Sequence, residues 1–276
     1  MAQDPAQYSA CCLLALDPVH VDAGDRFMKR AHETTDVLTR RLRIIQRRGG
    51  HRAASDDVLL AWAGIRAVPG ARRILDLGSG KGTVALMLLG SLTEAKVVGI
   101  EAYPDHHDLA VRNAALNDLS DRYDARLGDL REPAILEHEA AFDLICGAPP
   151  YHPVGSGILP KDPGRAAGRF ELRGGVEAYA ETAARHLAAD GRVVLLMNGS
   201  GRSRAESAAK AAGLAVCRLI GVRPRPGQPH TYWLIESAAD RAEAPIEAEL
   251  CMRQATGMEW SPAYAAVRQA LDLPAQ

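Results

Sequence analysis

The chain has 276 residues and a formal net charge of −1, so it is long enough for one sizeable α/β domain with additions but carries no overall positive field to hold a polyanion. Apolar residues make up 47%, enough to fill such a core, yet no apolar run reaches bilayer-spanning length, and acidic Asp4 stands where a signal peptide would be basic. The five cysteines (Cys11, Cys12, Cys146, Cys217 and Cys251) include no Cys-x-x-Cys pair, so they read as reduced thiols of a soluble, cytoplasmic protein with no metal site.

Residues 1–33 form a leader whose apolar cluster, Tyr8 through Leu16, precedes Pro18 and Gly24; it reads as a lid over a cleft or as a loose tail. The main domain is expected over 34–276. Between Thr34 and Ile45, Leu38, Leu42 and Ile44 interleave with Arg40, Arg41 and Arg43, which predicts a strand or hairpin ending at Gly49-Gly50. Ser55, Asp56 and Asp57 then stand where a helix beginning at Val58 would take its cap.

The stretch from Arg73 to Thr83 is the centre around which the chain is organised. Ile74 to Leu77 reads as a buried strand, Gly78, Gly80 and Gly82 form a turn around Ser79 and Lys81, and Val84 to Leu89 begins a helix. Glycines let a backbone take positive φ and approach a ligand, while the helix start offers free N–H donors. A dinucleotide fingerprint wants Gly-x-Gly-x-x-Gly. Here the third glycine comes one residue early, which weighs against a nicotinamide cofactor.

Strand–helix alternation continues. Val97 to Ile100 is a second strand closed by Glu101, a helix runs from Asp105 to Leu116, and a weaker strand over Arg122 to Leu127 stops at Gly128-Asp129. Phe142 to Cys146 is a fourth strand, ending in Gly147-Ala148-Pro149-Pro150-Tyr151. The loop from His152 to Gly175, too rich in Gly, Pro and Arg for a regular element, reads as a functional flap. A helix over Val176 to Leu187, a strand over Gly191 to Met197 and a helix over Ser203 to Ala212 with Gly213 at its end come next. Two strands, Leu214 to Val222 and His230 to Glu236, are joined by Arg223 to Pro229 without a helix; a strand over 246–253 and a helix after Pro262 complete the chain. The predicted fold is α/β, a doubly wound sheet that is parallel with one antiparallel strand from the C-terminal hairpin.

In such a sheet ligands bind at the carboxyl ends of the strands, where the conspicuous polar residues collect. Glu101, 21 positions after Gly80, can accept from both hydroxyls of a ribose, and Asp129 can accept from an adenine amino group; each can equally cap the next helix.

The glycine run with Asp76 resembles motif I of the class I S-adenosylmethionine methyltransferases. Gly147 to Tyr151 resembles the Asn/Asp/Ser-Pro-Pro-Tyr/Phe motif of members that methylate exocyclic amino groups of bases or glutamine amides. The amino lone pair of such an acceptor is delocalised, so the motif's first side chain and the first proline's carbonyl take its hydrogens while the aromatic ring stacks on the acceptor. Ala148 cannot accept a hydrogen bond, so the chain is either a weakened amino-methylase or an enzyme for a different nucleophile.

A longer resemblance, to bacterial valine-tRNA (adenine-N6) methyltransferases, covers about residues 34–270. It rests on Arg43 to Arg52, Ser55-Asp56, Leu59 to Ala61, Gly155 to Gly157, Ala167 to Glu171, Arg223 to Pro229, Gly257 and Ser261-Pro262-x-Tyr264. It implies a Rossmann-like methyltransferase of tRNA modification that uses S-adenosylmethionine, yields S-adenosylhomocysteine and needs no metal. Asp76, Gly78, Ser79, Gly80, Gly82, Glu101, Asp129 and Ala148 would meet the cofactor, and Pro149, Pro150 and Tyr151 the reacting acceptor. Tyr151, Arg169, Arg223 and Arg225 would bind a tRNA substrate; by themselves Arg165, Arg169, Arg173, Arg223 and Arg225 read as a phosphate-binding rim or as solvated loop side chains. A small-metabolite acceptor beneath a lid, favoured by Ala148 and the leader, is the alternative; a module that binds without turnover is a third reading.

Overall fold

A computed structural model describes residues 30–240 and 243–274. A two-stranded antiparallel hairpin comes first, β1 (Glu33–Val37) and β2 (Arg43–Arg47), as the arginine-interleaved stretch predicts. Helix α1 (Ser55–Ala67) is next. Its cap differs from expectation: Ala54 holds the cap position with a methyl that accepts nothing, and Asp57 instead reaches back to the Ala54 N–H at 3.0 Å.

The main sheet contains β3 (Arg73–Leu77), β4 (Lys96–Glu101), β5 (Tyr123–Leu127), β6 (Phe142–Gly147), β7 (Leu187–Asn198), β8 (Ala215–Arg223), β9 (Tyr232–Ala238) and β10 (Ile246–Cys251). Their order is β10-β8-β9-β7-β6-β3-β4-β5, and every neighbouring pair is parallel except those that β9 makes with β7 and β8. The chain leaves β3 toward β4 and β5, then returns to β6 on the other side, which opens a crevice at the carboxyl ends of β3 and β6. The doubly wound fold is the one predicted.

Helices cover both faces because every β3 residue from Ile74 to Leu77 is buried. Ile74 packs with Leu59 and Leu60 of α1, with the apolar run 84–89 of α2 (Thr83–Ser91), with Ala110 of α3 (Pro104–Leu116) and with Val267 of α7 (Pro262–Ala270). Leu75 and Leu77 face the opposite layer, against Val176 and Ala180 of α5 (Val176–His186) and Ala208 of α6 (Arg202–Ala211). This period-two alternation puts Asp76 on the α1–α2 side with Ile74.

The flap holds a regular element that its composition conceals: α4 (Pro163–Arg169). Asp162 caps it by accepting from the Arg165 N–H at 2.8 Å, and Pro163 supplies a preset first helical residue. Strand β7 begins at Leu187, earlier than predicted, because a bulge between Phe142 and Leu144 in the pairing takes up the polar start. The lid-or-tail expectation falls outside the described residues except at Arg30 to Glu33, which lead into β1.

Candidate functional site

The glycine turn is built to carry a ligand. Gly78 and Gly80 have φ of 67° and 57°, where side chains are strained. A Cβ at Gly78 would run into the Tyr179 hydroxyl, whereas one at Gly80 would meet no atom and project into open space. The turn is laced to β4 by Ser79 N–H to Ile100 O at 2.9 Å and Gly80 N–H to Glu101 Oε2 at 2.8 Å. Beside it lies a cavity of about 480 Å³, lined by Asp76, Gly78, Ser79, Gly80, Glu101, Asp129, Ala148, Pro149, Pro150, Tyr151 and Arg169. Gly82 stands outside the lining, starting α2 against the Tyr123 ring.

The three acids differ in state. Asp76 is buried with Oδ2 unpartnered, and its pKa is pushed up to about 8 by burial, then by repulsion from Asp57 and Glu101, against the Ala85 N–H. Glu101 is also raised by burial, although Oε1 accepts from Tyr103 N–H at 2.7 Å and Oε2 from Gly80. Burial pushes Asp129 up too, but the Arg131 guanidinium, bonded at 2.9 and 2.6 Å, overcomes this and holds it below the usual range.

At the fourth strand end Ala148 is exposed and Pro149 buried, and Tyr151 packs partly against both core layers. Burial, then Asp56 and Tyr232, drives the Tyr151 pKa upward, so the ring carries an intact hydroxyl. The flap closes one wall. The His152 and Phe170 rings meet at a tilt of 37° with centroids 5.3 Å apart, the Arg47–Asp162 ion pair at 3.3 Å ties α4 to the hairpin, and Arg204 clasps Glu171 and Glu177 at 2.5 and 2.7 Å. Arg173 lines the cavity, where it faces Glu101 and Asp129. Arg223 and Arg225 are not brought to the cavity. Arg223 bonds Glu249 at 2.8 Å and the Gln228 carbonyl at 2.7 Å, while Arg225 donates to the carbonyls of Gln254 and Gly257.

Several lining residues escape the sequence reading: Lys81, His51, Asp56, Asp57, His106 and Tyr179. Lys81 lay in plain view between two glycines, but its inward direction depends on the fold. Asp56 and Asp57 read as caps, and only the approach of α1 to the turn gives them a second neighbour. Burial, then Lys81, lowers both histidines, His106 to about 4, so both imidazoles are neutral near neutral pH.

This donor and acceptor set fits S-adenosylmethionine. The open space over Gly80 admits a ligand backbone-close, the orphaned Asp76 oxygen and the buried Asp56 Oδ1 suit an ammonium, and Glu101 stands one strand away for the ribose. Among the described residues no helix is long and apolar enough to cross a membrane.

A family model described as methyltransferase small domain matches residues 64–158. A tRNA1(Val) (adenine(37)-N6)-methyltransferase of Porphyromonas gingivalis is 32% identical over 242 residues, covering 83% of this chain and 92% of that protein. One from Yersinia pestis is 29% identical over 216 residues, covering 77% and 84%. Among solved structures, a predicted O-methyltransferase from Agrobacterium tumefaciens aligns over 80% of this chain and 99% of its own, with a TM-score of 0.60 and 22% identity. The ribosomal protein L11 methylase of Lactobacillus delbrueckii subsp. bulgaricus aligns over 75% and 99%, with a TM-score of 0.52 and 18% identity. The two structures establish likeness of fold.

Proposed function

Since the chain belongs to the family of tRNA1(Val) (adenine(37)-N6)-methyltransferases, we propose that it moves a methyl group from S-adenosylmethionine to the exocyclic amino nitrogen of an adenine in tRNA. The observation that carries this reading is the meeting, in one cavity, of the glycine turn, Asp76 and Glu101 with the Pro149-Pro150-Tyr151 corner. When bound, the cofactor supplies an electrophilic sulfonium methyl. The chain's own part is positioning and exclusion of water. Asp76 accepts from the cofactor's ammonium, and Glu101 accepts from its ribose hydroxyls. The Pro149 carbonyl accepts one amino hydrogen of the acceptor, and the Tyr151 ring sets the plane of the base for in-line attack. The flap over His152 to Gly175 keeps bulk water from the acceptor.

Ala148 leaves the second amino hydrogen without a protein acceptor. One missing buried hydrogen bond is worth about 1–3 kcal/mol, which corresponds to roughly a five- to 150-fold loss of rate when expressed in the transition state. The reading is tested with labelled S-adenosylmethionine and an unmodified tRNA1(Val) transcript. Methyl transfer is expected to a transcript with adenine at position 37 and not to one carrying guanine there, and Ala148→Asn is expected to speed it by a factor in that range. Ala148 also favours a second reading, a small-molecule acceptor that brings its own hydrogen-bond partner. Label entering a metabolite extract, with none entering tRNA in either form of the protein, would establish that one instead.

A further inference from the structure

Lys81 sits inside the glycine turn, yet the residue is only 6% exposed and lines the cavity. Among the described residues no carboxylate comes within ion-pair distance of its ammonium. Burial lowers its pKa, and the acids that face it, Asp57 first and then Asp56, raise it again, with Arg52 opposing them. Asp57 is itself committed to the Ala54 N–H at the start of α1. The Lys81 backbone is pinned as well, because Asn113 Nδ2 donates to its carbonyl at 2.9 Å while holding Ile45 O of β2 at 3.1 Å. An ammonium on a largely buried side chain with no ion-pair partner is costly, and it is a ready site for an anion entering the cavity.

Resting on the S-adenosylmethionine reading, we infer that Lys81 binds the α-carboxylate of the cofactor's amino-acid end and makes the site selective for ligands that keep that end intact. Asp76 and Lys81 flank the same turn, and both open onto the cavity. Asp76 offers an unpartnered oxygen, and Lys81 offers an ammonium that faces Asp57 and Asp56 without an ion pair among the described residues, the complement of a zwitterion. Glu101 is one strand further on in the sheet, so the amino-acid end points toward α1 and the adenosine toward β4 and β5. His51 and His106 are neutral, and the guanidiniums that line the cavity, Arg169 and Arg173, stand on the flap, so Lys81 is the cation of the glycine turn itself.

The test is calorimetric binding to the full-length protein of two ligands, S-adenosylhomocysteine and 5′-methylthioadenosine, which lacks the amino-acid end. The wild type is expected to prefer S-adenosylhomocysteine. Lys81→Met is expected to weaken S-adenosylhomocysteine about ten- to a hundredfold, the size of one charge-assisted hydrogen bond, and to leave methylthioadenosine within about twofold. Removing the ammonium leaves Asp57 facing no cation, so the double change Lys81→Met with Asp57→Asn guards against a folding defect and is expected to lose the same preference. Unchanged S-adenosylhomocysteine affinity, or equal loss of both ligands in the double variant, overturns the assignment. A wild type that binds neither ligand overturns the cofactor reading itself and this inference with it.

Discussion

Asp76 shows how one buried group ties the stability of the fold to pH. Its raised pKa means that, between the ordinary aspartate value and about 8, the native protein keeps a proton the unfolded chain has released. The native state then binds more protons, so stability is fullest below the ordinary value and falls by about 1.4 kcal/mol per pH unit until pH passes the folded pKa. Asp76→Asn is therefore expected to melt higher than the wild type, by a gap that widens from pH 5 to pH 8. Scanning calorimetry across that range reads it, and a gap that stays constant contradicts the raised pKa. A cofactor ammonium beside Asp76 favours the charged form, so S-adenosylhomocysteine binding at pH 7 is expected to expel close to one proton in the wild type and none from this group in Asp76→Asn. Titrations in buffers of different ionisation heat measure that difference. Asp76, Glu101 and Asp129 were legible in the sequence because glycine spacing and strand ends mark them. Lys81, His51, Asp57 and His106 were not, because their roles depend on which way a side chain leaves a turn or helix start.

The hairpin forms a sheet of its own beside the main one, and it is held by its contacts to α3. Glu33 at its first position and Arg112 of α3 form a bidentate pair at 2.6 and 2.9 Å, with side chains only 2% and 4% exposed. Further along the helix Asn113 and Asn117 bond the N–H and C=O groups of Ile45 and Arg43, finishing the free edge of β2 as another strand would. Since Asn113 also holds the Lys81 carbonyl, hairpin, helix and glycine turn form one unit. Glu33→Ala strands a buried guanidinium and is expected to cost about 3–5 kcal/mol in urea unfolding, whereas a decorative hairpin would lose under about 1 kcal/mol. Burial pushes Glu33 upward, but Arg112 and the Arg30 N–H hold it below its usual range, so its stabilisation is present above the ordinary glutamate value and disappears as pH falls through the folded one. The order of strands and helices was readable from periodicity. Helix α4 was hidden by its Gly, Pro and Arg content, since a seven-residue helix is fixed by its Asp162 cap and its contacts rather than by pattern.

Across the whole molecule the net charge of −1 understates how completely the arginines are spent on internal pairs. Arg66, Arg192 and Arg218 converge on Glu236, Arg73 and Arg126 on Glu139, Arg204 on Glu171 and Glu177, and Arg223 on Glu249. Arg165 and Arg169 of α4 differ: both are exposed, one turn apart, without an ion pair among the described residues, and both act on His51 at the cavity. Affinity for a polyanion then rests on a few local cations, and each phosphate neutralised on a single-stranded segment contributes about −0.7 to the slope of log K against log salt. A tRNA titration from 50 to 200 mM salt, concentrations across which such slopes are readily measured, is expected to give a shallow slope. Arg165→Ala and Arg169→Ala are each expected to flatten it by about 0.7, while Arg223→Ala leaves it unchanged because that guanidinium belongs to Glu249 and the Gln228 carbonyl. If all three variants keep the wild-type slope, the flap helix does not touch the phosphates; if Arg223→Ala flattens it most, the terminal hairpin opens its ion pair to bind RNA.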